Sequence, residues 1–276
     1  MRTWFFCRLV APMMTLILSC CAAFSQEPGT VRLPAKDKFH IFLLAGQSNM
    51  AGRGVVEEQD LRPHPRVLML TKDQRWVPAV DPMHYDKPAV AGVGLGRSFG
   101  IRVAEADPAI IVGLVPCAAG GSPIASWAPG GYHDQTDSYP LDDALRRARF
   151  ALRFGTMKGI LWHQGESDAQ NGRAEVYEGK LHALIALFRK EVDAPDLPFL
   201  AGQLGRFPDR PWDDPKRMID AAHRSLPDEV AHTAFVGSEG LTHKGDGVHF
   251  DAASCREFGR RYAEAYLVMI SRGDAP

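Results

Sequence analysis

The chain has 276 residues, 45% of them hydrophobic and 24% charged, and its 32 basic against 33 acidic residues leave a formal net charge of -1. That composition supports one large core or two small ones. With no basic stripe and no clustering of Lys/Arg with aromatics, nucleic acid is not an expected partner.

The first 25 residues, MRTWFFCRLVAPMMTLILSCCAAFS, carry Arg2 and Arg8, then an apolar stretch, then small residues. This is the three-part layout of a secretory signal peptide, with Ala23 and Ser25 at the small-x-small positions before Gln26. A lipid anchor at Cys20, which follows "ILS", is the rival reading. The apolar run from Val10 to Leu18 is short and broken by Pro12, which argues against a membrane span, and no later stretch is long and apolar enough for one. The expectation is a secreted or periplasmic protein, or a membrane-anchored lipoprotein in the rival reading. A linker over 26–37 would lead into one domain over 38–272. Beyond the leader only Cys117 and Cys255 remain, as two buried thiols or one disulfide; neither has the spacing of a metal site.

From Lys36 onward, short apolar runs alternate with helical periodicity. Strands are predicted at 41–45, 67–70, 110–115, 159–162, 198–204 and 233–237, several almost wholly apolar, as a strand covered on both faces must be. Between them, Leu95/Phe99/Val103/Ala106, Leu141/Leu145/Ala148/Leu152 and Tyr177/Leu181/Leu184/Ile185/Phe188 recur at helical spacing, and Phe258/Tyr262/Ala265/Met269 closes the series. The segment 67–79 reads as a local hairpin. Strand and helix in alternation imply parallel βαβ units in a three-layer α/β/α domain with a central, mainly parallel sheet. The Pro/Gly-rich stretches 60–65, 127–140 and 207–215 read as loops over one face. In such sheets ligands bind past the carboxyl ends of the strands.

Four segments fall there. "IFLLAGQSNMAG" turns through Gly46 and presents Ser48 between Gln47 and Asn49. A serine so placed can offer its hydroxyl with its own N–H free to donate, although a turn serine capping a helix is the commoner case. "PCAAGGSPIASW" follows the 110–115 strand, and Gly120 and Gly121 there can bring bare N–H groups close to a developing oxyanion. "GILWHQGESDA" runs a buried strand into His163, Gln164, Glu166, Ser167 and Asp168. Groups packed that densely need hydrogen-bond partners; Gln164 suits a further oxyanion donor, and Glu166 suits a brace for the Ser48 loop. "GDGVHFD" sets Asp246 three residues before His249, so that the carboxylate can take Nδ1–H while Nε2 faces outward. That is the pair a serine nucleophile needs. A structural histidine with Asp251 as a helix cap is the ordinary alternative.

The blocks "GQSNMAG", "VPCAAGG", "LWHQGESDA" and "DGVHFD" resemble those of the SGNH hydrolase superfamily, most closely its sialate O-acetylesterase and acetylxylan esterase-like branch. The similarity runs from about Lys38 to Ile270. It implies a flavodoxin-like fold and carbohydrate deacetylation without metal or other cofactor. By matching blocks it makes Ser48 the nucleophile, His249 the base and Asp246 its partner. It puts the oxyanion hole on the Ser48 N–H, a glycine of the Gly120–Gly121 pair, and a side chain of the third block. The superfamily's common asparagine is missing from that block, leaving Gln164 as the favoured donor and Ser167 as its substitute. Gln47, Asn49, Glu166 and Ser167 are the supporting residues.

The expected substrate is an acetylated carbohydrate: acetylxylan, a sialoglycan or a related glycan. Trp76, Trp127, Tyr132 and Trp212 would stack on sugar rings or cover the ends of the core. Arg53 would touch a polar substrate or pair with Glu57. Two other classes stay open at this level: a metal-dependent hydrolase or phosphoesterase with His163, Glu166, Asp246 and His249 as ligands, and a noncatalytic carbohydrate-binding protein.

Overall fold

A computed structural model describes Met1 and residues 31–273 of the chain. The leader, its cleavage site and Cys20 lie outside the described residues, as do 26–30 of the linker. Seven strands form one sheet: β1 (Phe39–Gly46), β2 (Val67–Leu70), β3 (Trp76–Pro78), β4 (Ile111–Pro116), β5 (Thr156–His163), β6 (Phe199–Gly202) and β7 (Thr233–Val236). Their order is β3-β2-β4-β1-β5-β6-β7. All neighbours run parallel except β2 and β3, the antiparallel hairpin expected over 67–79.

β1 alternates its side chains between two cores. Ile41, Leu43 and Ala45 join the cluster built with α3 (Pro140–Ala151), α4 (Tyr177–Glu191) and α5 (Asp214–Glu229). Phe42 and Leu44 join the other, built with α2 (Gly96–Ala106) and α6 (Ala252–Ser271). Phe42 meets Phe99 and Tyr266 edge-on at centroid distances of 4.9 and 5.0 Å. Each such fully buried side chain contributes about 1.5–3 kcal/mol. A sheet covered on both faces is the three-layer arrangement expected.

α5 is not among the helices expected from the sequence. Asp213 caps it by accepting the Lys216 N–H at 3.0 Å, Pro215 sits in its first turn, and Ile219, Ala222, His223 and Leu226 are its buried stripe. Three apolar positions beside a strongly charged face, with a proline near each end, hide the helical period. Among the described residues no helix is long and apolar enough to cross a membrane.

The strand order reverses at β1, which lies between β4 and β5. That makes the carboxyl ends of these three strands a topological switch point, where a crevice opens. The first three sequence blocks leave β1, β4 and β5 in turn, so segments distant in the chain become neighbours at one edge.

Candidate active site

At the end of β1, Gly46 has φ +131°, and a Cβ there would lie 2.1 Å from the His163 carbonyl oxygen on β5. Only glycine lets the strands stay this close while the chain turns. The Gln47 N–H donates to that same oxygen at 2.9 Å. Ser48 then opens the single-turn helix α1 (Ser48–Ala51) and is 7% exposed. Among the described residues the Ser48 N–H makes no hydrogen bond within the protein.

The segment 243–250 is a loop closed by an antiparallel bridge between His243 and Phe250. His243 Nδ1 accepts the N–H groups of Gly245 and Gly247 at 2.9 and 3.1 Å, and its Nε2 meets Asp209 Oδ2 at 3.0 Å. Gly245 and Gly247 have φ +109° and +72°, so the two glycines flanking Asp246 take the left-handed turns that aim its carboxylate. Asp246 Oδ1 accepts from the N–H groups of Val248 and His249 at 2.9 and 2.8 Å. Asp251 does cap α6, accepting the Ser254 N–H at 2.8 Å, so the helix-cap reading and the Asp–His pairing hold together.

Three side chains then stand in a row. Asp246 Oδ2 lies 2.7 Å from His249 Nδ1, and His249 Nε2 lies 2.9 Å from Ser48 Oγ. Burial pushes the Asp246 carboxyl up, but the backbone N–H and imidazole of His249, with the Val248 N–H, outweigh it and hold the group at about 2. Asp246 is therefore a carboxylate at neutral pH. It fixes His249 as the Nδ1–H tautomer, which leaves Nε2 as the acceptor facing the serine hydroxyl.

The supporting residues form a network beneath this row. Asn49 Nδ2 donates to Glu166 Oε1 at 2.6 Å and to the Val248 carbonyl at 3.1 Å, while its Oδ1 accepts the Phe250 N–H at 3.1 Å. Gln47 Oε1 accepts from Gln164 Nε2 and from the N–H groups of Gly165 and Ser167 at 3.2, 3.4 and 3.3 Å. His163, fully buried, has its Nε2 3.5 Å from Glu166 Oε1 and is ringed edge-on by Phe250 and Phe258. Burial pushes the Glu166 carboxyl up, yet His163 and the Asn49 amide outweigh this and hold it at about 2.

The expected oxyanion donors need correction. Gln164 is fully buried, and its Nε2 is committed to Gln47 Oε1, the Ser122 carbonyl at 3.1 Å and Asp168 Oδ2 at 2.5 Å. Three acceptors around one amide nitrogen fix its orientation and use both of its hydrogens. The Ser167 hydroxyl is committed too, donating to the Gly121 carbonyl at 2.8 Å. The Gly120 N–H donates to Asp86 Oδ2 at 2.9 Å. Gly121, at φ +85°, makes no backbone N–H bond among the described residues. Third-block side chains thus tie down the second-block loop, where Asp168 also accepts the Ile124 N–H at 2.8 Å.

Arg53 does not pair with Glu57. Its guanidinium lies 2.7 Å from Asp86 Oδ2, both side chains being almost wholly buried, and Glu57 pairs with Arg256 instead. Asp86 thereby joins the Arg53 turn to the Gly120 loop. Nothing in its local sequence marks Asp86 for this role. Trp76 and Trp127 are core residues: Trp76 packs edge-on against Phe39, and Trp127 packs against Trp162 and donates to Ser122 Oγ at 2.9 Å. Tyr132 is exposed, and Trp212 is half-buried. Cys117 and Cys255 are free thiols, so the disulfide alternative is not realised. No three of His163, Glu166, Asp246 and His249 bring ligand atoms within 4.8 Å of one another; among the described residues only Glu178, His182 and Glu229 do so. The proposed metal-ligand set is not assembled.

A family model described as carbohydrate esterase, sialic acid-specific acetylesterase, matches residues 38–268. A probable carbohydrate esterase of Arabidopsis thaliana is 32% identical over 251 residues, covering 82% of this chain and 90% of that protein. Its X-ray structure superposes with a TM-score of 0.73 at 30% identity, over 83% of this chain and 98% of that one. NanS, at 19% identity, shares the fold with a TM-score of 0.71 over 87% of this chain and all of that one. So does XAC1771, a carbohydrate acetylesterase from Xanthomonas citri, at 22% identity and a TM-score of 0.62 over 84% and 57%.

Proposed function

The chain belongs to the sialic acid-specific acetylesterase family of carbohydrate esterases, and from that membership we propose that it removes O-acetyl groups from a glycan by a serine mechanism run by Ser48, His249 and Asp246. The observation that carries this reading is the hydrogen-bonded row of 2.7 and 2.9 Å linking the three side chains.

His249 Nε2 takes the Ser48 proton as Oγ attacks the acetyl carbonyl carbon. The tetrahedral oxyanion is met by the N–H groups of Ser48 and Gly121, each worth about 3 kcal/mol of barrier. His249 then gives its proton to the departing sugar oxygen, leaving an acetyl-serine. A water deprotonated by the same imidazole attacks that ester, and acetate leaves as Ser48 recovers its proton. Asp246 stabilises the imidazolium at both stages.

A groove of about 880 Å³, lined by Arg206, Phe207, Arg210 and Trp212 among others, borders the catalytic loop. Phe207 packs on Phe250, and Arg210 crosses over Gly247. This groove, which lies beside the catalytic loop rather than over Ser48, is assigned to the outer part of the glycan, with the arginines at its wall as hydrogen-bond donors; Trp212 packs on the core with Arg206 over its ring. The family's description makes an O-acetylated sialic acid the first substrate to try; acetylxylan, suggested by the resemblance of the sequence blocks, is the second. The leader over 1–25 supports export, by cleavage before Gln26 or lipidation at Cys20; the amino terminus of the mature protein distinguishes them.

The test is acetate release from 4-nitrophenyl acetate and from acetylated sialosides and xylan. Turnover should persist in EDTA and vanish in Ser48→Ala. Loss in EDTA, or full turnover in Ser48→Ala, overturns the serine mechanism.

A further inference from the structure

We propose that Asn49 is a positioning residue that sets where the His249 imidazole stands relative to Ser48, and that Glu166 holds Asn49 in the orientation this requires; the proposal rests on the roles given above to Ser48 and His249. The imidazole has two partners, Ser48 and Asp246. Asp246 lies on the same loop, three residues before His249, so this pair moves as the loop moves and cannot by itself align with the serine. Most other bonds of the loop are internal or reach Asp209.

Asn49 is different. It neighbours the nucleophile in sequence, and its single amide grips the backbone on both sides of His249, through the Val248 carbonyl and the Phe250 N–H, each at 3.1 Å. The Ser48 turn and the imidazole loop are thereby indexed to each other through one side chain that is 2% exposed. Only one amide orientation satisfies the site, because Nδ2 faces two acceptors and Oδ1 faces a donor. Glu166 enforces it, taking the second Nδ2 hydrogen at 2.6 Å from a carboxylate that His163 faces at 3.5 Å. Alanine has no reach, glutamine is one carbon too long, and aspartate sets a second carboxylate against Glu166.

The experiment compares full-length wild type with Ser48→Ala, Asn49→Ala, Asn49→Asp and Asn49→Asp/Glu166→Gln on 4-nitrophenyl acetate, with a thermal melt of each. Asn49→Ala should stay folded and lose about 10²-fold in kcat with KM unchanged, the cost of a misplaced reacting group. Asn49→Asp should lose a similar factor near neutral pH, and its rate relative to wild type should rise as pH falls, since a protonated Asp again donates. Adding Glu166→Gln returns an N–H donor opposite the new carboxylate and should recover about tenfold. A merely structural role moves neither the pH ratio nor the rescue. Asn49→Ala within twofold of wild type, or a folded double variant no faster than Asn49→Asp, overturns the positioning role. If Asn49→Ala does not fold, the aspartate pair decides, because it keeps the acceptor for Phe250. Turnover retained in Ser48→Ala would instead overturn the serine mechanism itself, so the two failures are distinct.

Discussion

Ser48 and His249 are 201 positions apart in the chain and 2.9 Å apart in space. What joins them is topology. β1 delivers the serine at the centre of the sheet, and the loop that carries His249 leads into α6, which packs with α2 over one face of that sheet. Neither residue contacts the other through local sequence, so their alignment reports on the whole fold.

The carboxylate at the far end of the row should matter for charge and tautomer rather than for binding. Asp246→Asn offers an amide N–H to Nδ1 and so favours the tautomer with its proton on Nε2, which cannot take one from Ser48. We expect kcat to fall about 10³–10⁴-fold with little change in KM, read from initial rates of acetate release. A loss below tenfold would mean that Asp246 does not serve the imidazole in this way.

Glu166 ties the site to stability. Its carboxyl sits at about 2 against an ordinary 4.5. A depressed folded value means that the unfolded chain binds the proton more readily, so the stabilisation is present above the unfolded value and is lost as pH falls through about 2. Glu166→Gln should therefore cost about 3 kcal/mol at neutral pH and much less near pH 2, measured by urea unfolding at both. An equal gap at the two pH values would contradict the linkage.

The buried Arg53–Asp86 pair anchors the Gly120 loop. Removing one partner leaves the other charge buried and unpaired, so Arg53→Met should cost about 3–5 kcal/mol. Arg53→Met/Asp86→Asn should cost less than the single change, because no lone charge remains. Denaturant midpoints of the three proteins check this, and a double variant weaker than Arg53→Met would refute it.

Cys117 and Cys255 should stay reduced in protein lacking the leader, even after oxidative refolding. Burial pushes the Cys117 thiol up to about 11 and raises that of Cys255 as well, so neither presents much thiolate at neutral pH. Reductant should leave the melting temperature unchanged, and both thiols should react with a disulfide reagent once the chain is unfolded. A drop of several degrees on reduction would reveal a bond between them.

The parts of this site legible in the sequence were those set by short-range geometry. A serine one turn beyond an apolar strand and an Asp three residues before a His declare their relation locally, and Asp246 and His249 meet as that spacing implies. Gln164 shows where such reasoning stops. Whether its amide faces a substrate or the protein depends on Ser122 and Gln47, which come from other strand ends. Arg53 fails in the same way: Glu57 is the near candidate, but Asp86 arrives from a loop 33 residues on. α5 was hidden because charges and two prolines interrupt the pattern that packing against the sheet nevertheless selects.

The chain order of the site also bears on biosynthesis. A polypeptide extended through β7 already holds every strand of the sheet, together with Ser48 and the glycine loop, but not the imidazole, which follows Val236 by 13 residues. Under the proposed mechanism Ser48 therefore lacks its base for most of translation, and a product truncated before His249 would be an inert scaffold. On that mechanism competence to hydrolyse arrives only when the carboxy-terminal segment docks, which would couple the onset of activity to completion of the fold.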